Sequence, residues 1–220
     1  MTHTHTDYRR PATRGALSRR AFLGRAASLG VTAAAATPLG AALAGAPDGD
    51  GKLFLIALEE HFATRELQHL NAGTDKRLFS GGGRRPELLD LGAGRIADID
   101  EAGIDIQVLS AVTPGAQNLP GAEGVTYARK LNAWVADEVV AAWPDRFRAF
   151  ATLPLGQPEA AADELERSVR EHGFVGCMCY GPIDGRFLDH DDFAPVLARA
   201  EALGVPIYIH PNWLLLSVEN

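Results

Sequence analysis

The sequence predicts an α/β protein built on a parallel sheet, and three observations carry that prediction. From Lys52 onward, five short apolar or β-branched runs alternate with longer stretches of helical periodicity. Glycine or proline stands at most of the joins, where a helix has to stop before the next strand begins. Carboxylate and imidazole side chains sit at the ends of the first and last runs, in IALEEHF (56–62) and VPIYIH (205–210). The carboxyl ends of parallel strands form the rim where such folds place their chemistry.

Residues 1–46 stand apart from this pattern. Six arginines (Arg9, Arg10, Arg14, Arg19, Arg20 and Arg25) make a basic start. An Ala/Leu/Gly-rich stretch from Ala21 to Thr37 follows, and then the small-residue segment Ala42-Leu43-Ala44. That order of basic, apolar and small-residue regions is that of an export signal. SRRAFLG (18–24) resembles the twin-arginine type, which predicts a periplasmic or extracellular protein. The apolar stretch is too short and too alanine-rich for a membrane span. Cleavage near Ala44 or Ala46 leaves residues 47–220, about 175 residues and one domain. Six arginines and one aspartate leave with the signal, so 15 basic and 27 acidic side chains remain, a net charge of −12. A surface of that sign disfavours nucleic acid and anionic membranes as partners. Two cysteines, Cys177 and Cys179, exclude a disulfide framework and read as small buried side chains.

The elements follow in order. KLFLIAL (52–58) is the first strand. The glycine run Gly81–Gly83 lacks the GK[ST] ending of a phosphate loop and reads as a surface loop. ELLDLGAGRIADIDEAG (87–103) is a helix closing at Gly103, and IDIQVLS (104–110) is β-branched and strand-like. GAEGVTYARKLNAWVADEVVAAW (121–143) is a helix that must end at Pro144, and FRAFATLPL (147–155) is the third strand. PEAAADELERSVREHG (158–173) opens on proline and closes on glycine, and FVGCMCY (174–180) is the fourth strand. DDFAPVLARAEALG (191–204) is a helix with an aspartate start and Gly204 as its stop, before VPIYIH. Capping and the helix dipole account for the carboxylates of Asp189–Asp192 without a metal. Five strand–helix units fit either an open doubly wound sheet or the first five-eighths of a (β/α)₈ barrel, and periodicity alone does not choose.

Glu59 and His61 are two residues apart, so an extended chain puts them on one face with Leu53, Leu55 and Ala57, and Glu60 on the other. His210 ends the fifth strand on the face of Tyr208. Convergence on one rim would assemble a carboxylate and two imidazoles, a donor set for a divalent ion, zinc first, with manganese or iron as alternatives. The spacing alone leaves open a second reading, in which these are hydrogen-bonded rim residues.

GKLFLIALEEHF, RIADIDEAGIDIQVLS, PDRFRAFATLPL, GFVGCMCYGPIDGRFLD and ALGVPIYIHP, in register from Gly51 to Pro211, together resemble the amidohydrolase-related metal-dependent decarboxylases. That family includes the 2,3-dihydroxybenzoate, γ-resorcylate and aminocarboxymuconate-semialdehyde decarboxylases. The resemblance implies a TIM (β/α)₈ barrel spanning residues 47–220. It also implies Glu59, His61 and His210 as metal ligands, Zn2+ or Mn2+ as the ion, and an aromatic or dienoic carboxylic acid as substrate. A hydrolase on the same scaffold is the alternative activity, and a non-catalytic remnant the alternative outside enzymes. The family's barrel adds three further strands, with a histidine after the sixth and an aspartate after the eighth. The sequence ends at Asn220, and NWLLLSVEN does not resemble that continuation. The resemblance therefore predicts a barrel truncated after its fifth strand, with His210 as the one matched residue left for a catalytic role. Completion by a partner chain or by self-association into a homo-oligomer is the alternative.

Overall fold

Parallel strands joined by helices have to cross over in one hand, and their order in the sheet separates a barrel from an open sheet. The structure, a computed structural model, describes residues 53–70 and 86–211. The export signal, the glycine run Gly81–Gly83 and the segment 212–220 lie outside the described residues. Strands β1 (Ile56–Phe62), β2 (Ile106–Ala111) and β3 (Phe147–Ala149) form one parallel sheet in that order, and β4 (Cys177–Tyr180) pairs in parallel with β5 (Ile207–His210). A parallel bridge between Ala151 and Cys177, with Met178 N–H donating to the Ala151 carbonyl at 3.3 Å, joins the two groups. The order is thus sequential from β1 to β5, with no reversal of the kind that defines a doubly wound sheet. In a flat sheet β1 and β5 would lie four strand spacings apart, roughly 19 Å. Side chains of the two strands nevertheless meet at 2.9 Å, so the sheet curls as a barrel wall does.

Helices α1 (Arg65–Leu70), α2 (Ala93–Glu101), α3 (Gly121–Trp134), α4 (Pro158–Arg170) and α5 (Ala194–Leu203) cover the outside. α3 runs on into a π-helical segment, Val135–Val140, and ends before Pro144 as its sequence requires. Gly103, Gly173 and Gly204 all close helical segments at positive φ. Gly176 is required for space as well, because a Cβ there would run into the Pro206 carbonyl at the entry to β5. The Asp189–Asp192 expectation needs one correction. Asp192 N–H donates to His190 Nδ1 at 3.3 Å, so an imidazole rather than an aspartate makes the cap, and the Asp192 carboxylate pairs with Arg186.

Two apolar layers result. The larger lies between sheet and helices and includes Phe62, Leu109, Phe147, Leu165, Cys177 and Cys179. Both thiols therefore face the helices. A hydrogen bond with Cys179, first, and then burial push the Cys177 thiol up. The smaller layer fills the concave side, where Val108, Phe150, Met178 and Tyr180 pack with Ile56 and Tyr208.

β1 departs from the sequence prediction twice. It starts at Ile56 rather than Lys52, and Leu53, Phe54 and Leu55 are exposed. Its pairing with β2 also slips by one residue between Ala57 and Glu60. Ala57 pairs with Gln107 on the outer side, so it does not share a face with Glu59 as strict alternation predicted. Leu58 and Glu59 occupy this bulge, and both are exposed.

The outer layer contains an ion pair with a buried carboxylate. Glu164 on α4 is 2% exposed and accepts from Arg167 Nη2 at 2.7 Å and from Asn132 Nδ2 at 2.7 Å. Asn132 in turn bridges to the Thr152 backbone, accepting from its N–H and donating to its carbonyl, each at 3.0 Å. Glu164→Ala removes an acceptor from Asn132 and from Arg167, whose guanidinium keeps the Arg129 carbonyl at 3.0 Å, and is expected to destabilise the fold by about 1–3 kcal/mol. The shift in urea midpoint checks this, with Glu164→Gln expected to lose less because it keeps an acceptor for Asn132.

Candidate metal centre

The bulge decides which side chains enter the concave layer. Ile56 pairs with Ile106 and packs in that layer, and five residues later His61 pairs with Ser110. Five is an odd step, and regular alternation would send His61 outward. The extra residue restores parity, so Ile56 and His61 both face inward while Glu60 and Phe62 face the helices. Glu60 accepts from Gln107 Nε2 at 2.8 Å on the outer side, as its sequence position predicted. Arg95, almost fully buried, donates to the His61 carbonyl at 2.8 Å and to the Asp90 carbonyl at 2.9 Å, which ties the end of β1 to α2.

The three residues singled out in the sequence come together. Glu59 Oε1 lies 2.9 Å from His210 Nε2, and the His61 and His210 ring centroids are 5.0 Å apart. One donor atom from each of Glu59, His61 and His210 lies within 4.8 Å of the others. Glu59 is exposed and the two histidines are half-buried, so the trio opens to solvent at the carboxyl end of the sheet. Burial, first, and then the neighbouring His210 and Arg95 hold the His61 imidazole below its ordinary range against the opposing pull of Glu59 and Ser110. His61 is therefore an uncharged nitrogen donor at neutral pH.

His210 Nδ1 lies 2.7 Å from the Pro211 carbonyl, which only accepts, so the ring proton sits on Nδ1. Its Nε2 lone pair then faces a carboxylate oxygen at 2.9 Å. Two lone-pair donors at that separation require a positive species, either a second ring proton or a metal ion. One carboxylate oxygen and two imidazole nitrogens suit a borderline divalent ion. The trio fits the group that the sequence implied.

The sequence model of the Amidohydrolase family matches residues 84–216. The chain belongs to this family. Decarboxylase orsB of Emericella nidulans is 40% identical over 72% of the chain and 47% of its own length. The γ-resorcylate decarboxylase of Rhodococcus jostii is 40% identical over 71% of the chain and 50% of its own. Among solved structures, 5-carboxyvanillate decarboxylase from Novosphingobium aromaticivorans, complexed with manganese and 4-hydroxy-3-methoxy-5-nitrobenzoic acid, superposes with a TM-score of 0.69. That match has 34% identity and covers 79% of this chain and 54% of that one. The chain thus spans about half the length of these amidohydrolase relatives.

Two further residues border the trio and were not singled out in the sequence. Ser110 ends the inward face of β2 and Tyr180 that of β4, and both are buried. Ser110 Oγ lies 2.8 Å from His61 Nδ1. The Tyr180 ring lies 6.2 Å from His61 and 5.3 Å from His210, centroid to centroid. Gln117 brackets the Tyr180 backbone, donating to its carbonyl at 2.6 Å and accepting from its N–H at 2.9 Å. The strand-end rule that marked His61 and His210 would have found both residues had it been applied to uncharged polar side chains.

His61→Ala and His210→Ala are each expected to weaken Mn2+ binding by more than the roughly 10–100-fold typical of supporting residues. Glu60→Gln, on the outward face, should leave it unchanged. Isothermal titration of the purified chain with Mn2+ measures all three.

Proposed function

We propose that the protein is a metal-dependent carboxy-lyase acting on an aromatic or dienoic carboxylic acid, with Glu59, His61 and His210 holding a divalent ion, zinc or manganese. The observation that carries this reading is the convergence of those three side chains, from strands at opposite ends of the sheet, on one open site. Its support from relatives is the run of decarboxylases, among whose solved structures several hold manganese, that of 5-carboxyvanillate decarboxylase complexed also with a hydroxybenzoic acid analogue. The ion, when bound, would orient the substrate carboxylate and stabilise the negative charge that develops as carbon dioxide departs.

The chain's own residues divide the remaining work. Glu59 contributes the anionic donor and His61 and His210 the neutral ones, which leaves net positive charge at the site for an anionic substrate. Val108, Phe150 and Met178 close the concave layer beneath with apolar surface, which excludes water from the buried side. His210, the residue to which the resemblance gives a catalytic role, keeps a ring proton on Nδ1, bonded to the Pro211 carbonyl.

Purified full chain loaded with Mn2+ or Zn2+ is expected to release carbon dioxide from a hydroxybenzoate such as γ-resorcylate or 5-carboxyvanillate, and Glu59→Gln to abolish release. Metal binding without turnover on any hydroxybenzoate would reduce the chain to a non-catalytic metal-binding unit. Failure to bind metal would sink the reading altogether.

The same proposal places the mature protein outside the cytoplasm, on the support of SRRAFLG and the basic, apolar and small-residue order of residues 1–46. Among the described residues no helix is long and apolar enough to cross a membrane. Paired Arg19→Lys and Arg20→Lys substitutions are expected to hold the full-length precursor in the cytoplasm, read by fractionation and intact mass. An exported double variant would remove the twin-arginine assignment.

A further inference from the structure

The ladder between β3 and β4 stops one rung short of the site. Met178 N–H donates to the Ala151 carbonyl, and in a parallel pair the next rung would bring Tyr180 N–H to the Leu153 carbonyl. Leu153 turns away instead, and its carbonyl accepts from Leu155 N–H at 3.0 Å. The Gln117 side chain takes over that rung. Its amide donates to the Tyr180 carbonyl at 2.6 Å and accepts from the Tyr180 N–H at 2.9 Å, as a strand peptide would. Gln117 lies in the loop after β2 and is 3% exposed. That loop therefore passes over the end of β3 and lands on β4. The Tyr180 hydroxyl makes the return crossing, donating to the Ala111 carbonyl at the end of β2.

We propose that Tyr180, anchored by Gln117, is a positioning residue that sets the separation of His61 and His210. This rests on the metal-site reading above. Ala111 pairs with Phe62, next to His61, and Tyr180 pairs with His210. The phenol thus ties the β1–β2 ladder to the β4–β5 ladder at the level of the two imidazoles, skipping β3. The backbone path between the two histidines is longer and runs through all five strands in series, because β1 and β5 stand at opposite ends of the run. Between its two anchors the Tyr180 ring packs beside both imidazoles, with centroids 6.2 Å from His61 and 5.3 Å from His210. The three rings close a triangle whose third side is the 5.0 Å between the imidazoles. A buried ring held at both its backbone and its hydroxyl end is a stiff spacer. Its hydroxyl is committed to a carbonyl, so Tyr180 acts on the site through the histidines.

Proton NMR and Mn2+ titration of the full chain test this. In the metal-free protein, nuclear Overhauser contacts are expected between the His61 and His210 rings and from each of them to Tyr180. Tyr180→Phe keeps the ring and cuts the tie, so it should abolish the His61–His210 contact and weaken Mn2+ binding about 10–100-fold. Gln117→Met, similar in volume, removes the anchor and should do the same. Leu165→Ala opens a cavity in the outer layer and should lower the melting temperature at least as far, yet leave both signals intact. A purely structural role for Tyr180 would make all three variants behave alike. A wild-type protein without the imidazole contact overturns the proposal. So does a folded Tyr180→Phe or Gln117→Met protein that retains either that contact or wild-type Mn2+ affinity. A wild-type chain that binds no Mn2+ overturns the metal reading instead, and the imidazole contact then decides the role of Tyr180.

Discussion

A β-strand can address one face only at every second residue, and the site depends on β1 breaking that rule once. Without the bulge at Leu58 and Glu59, a strand that starts with Ile56 packed inward would turn His61 toward the helices. The extra residue lets one short strand serve both layers. Inward, it delivers Glu59 and His61. Outward, it sends Glu60 to Gln107 and Phe62 into the main core, 6.4 Å from Trp134 between ring centroids. The buried Arg95 guanidinium, bonded to the His61 carbonyl, holds the strand end in the position that this slip creates.

The concave layer changes character along the strands. Val108, Phe150 and Met178 fill its lower part, and hydroxyl and imidazole groups take over at Ser110, Tyr180, His61 and His210. The apolar floor makes charge on His61 expensive, so the ring stays neutral and able to donate. Buried polar groups above such a floor are tolerable only when their bonds are completed. Ser110 Oγ meets His61 Nδ1, and the Tyr180 hydroxyl donates to the Ala111 carbonyl. Packing and metal-site chemistry are thus a single arrangement at this end of the sheet.

Much of this was legible in the residues. The five strands and the helices α2 to α5 could be read in order, because glycine and proline punctuate them and the closing glycines Gly103, Gly173 and Gly204 take positive φ as such stops do, whereas α1 was not legible that way. Glu59, His61 and His210 were identifiable as strand-end groups, and the family resemblance is matched by the comparisons. The start of β1 was not legible, since Leu53, Phe54 and Leu55 are as apolar as a strand yet lie exposed. Nor was the bulge, because Leu58 looks like any other strand residue and the slip exists only relative to β2. Ser110 and Tyr180 carry no charge of the kind that marks chemistry in a sequence.

The sequence by itself determined that strands and helices alternate, where each helix stops, and which side chains could serve as metal donors. Those properties reside in local periodicity, in backbone preference and in residue chemistry. Only the tertiary structure decided that the strands run in sequential order and curl, that β1 carries one residue more than β2 can match, and that His61 meets the Ser110 hydroxyl. Each of these is a relation between segments far apart in the chain, set by which surfaces pack and which hydrogen bonds close. No single segment encodes it.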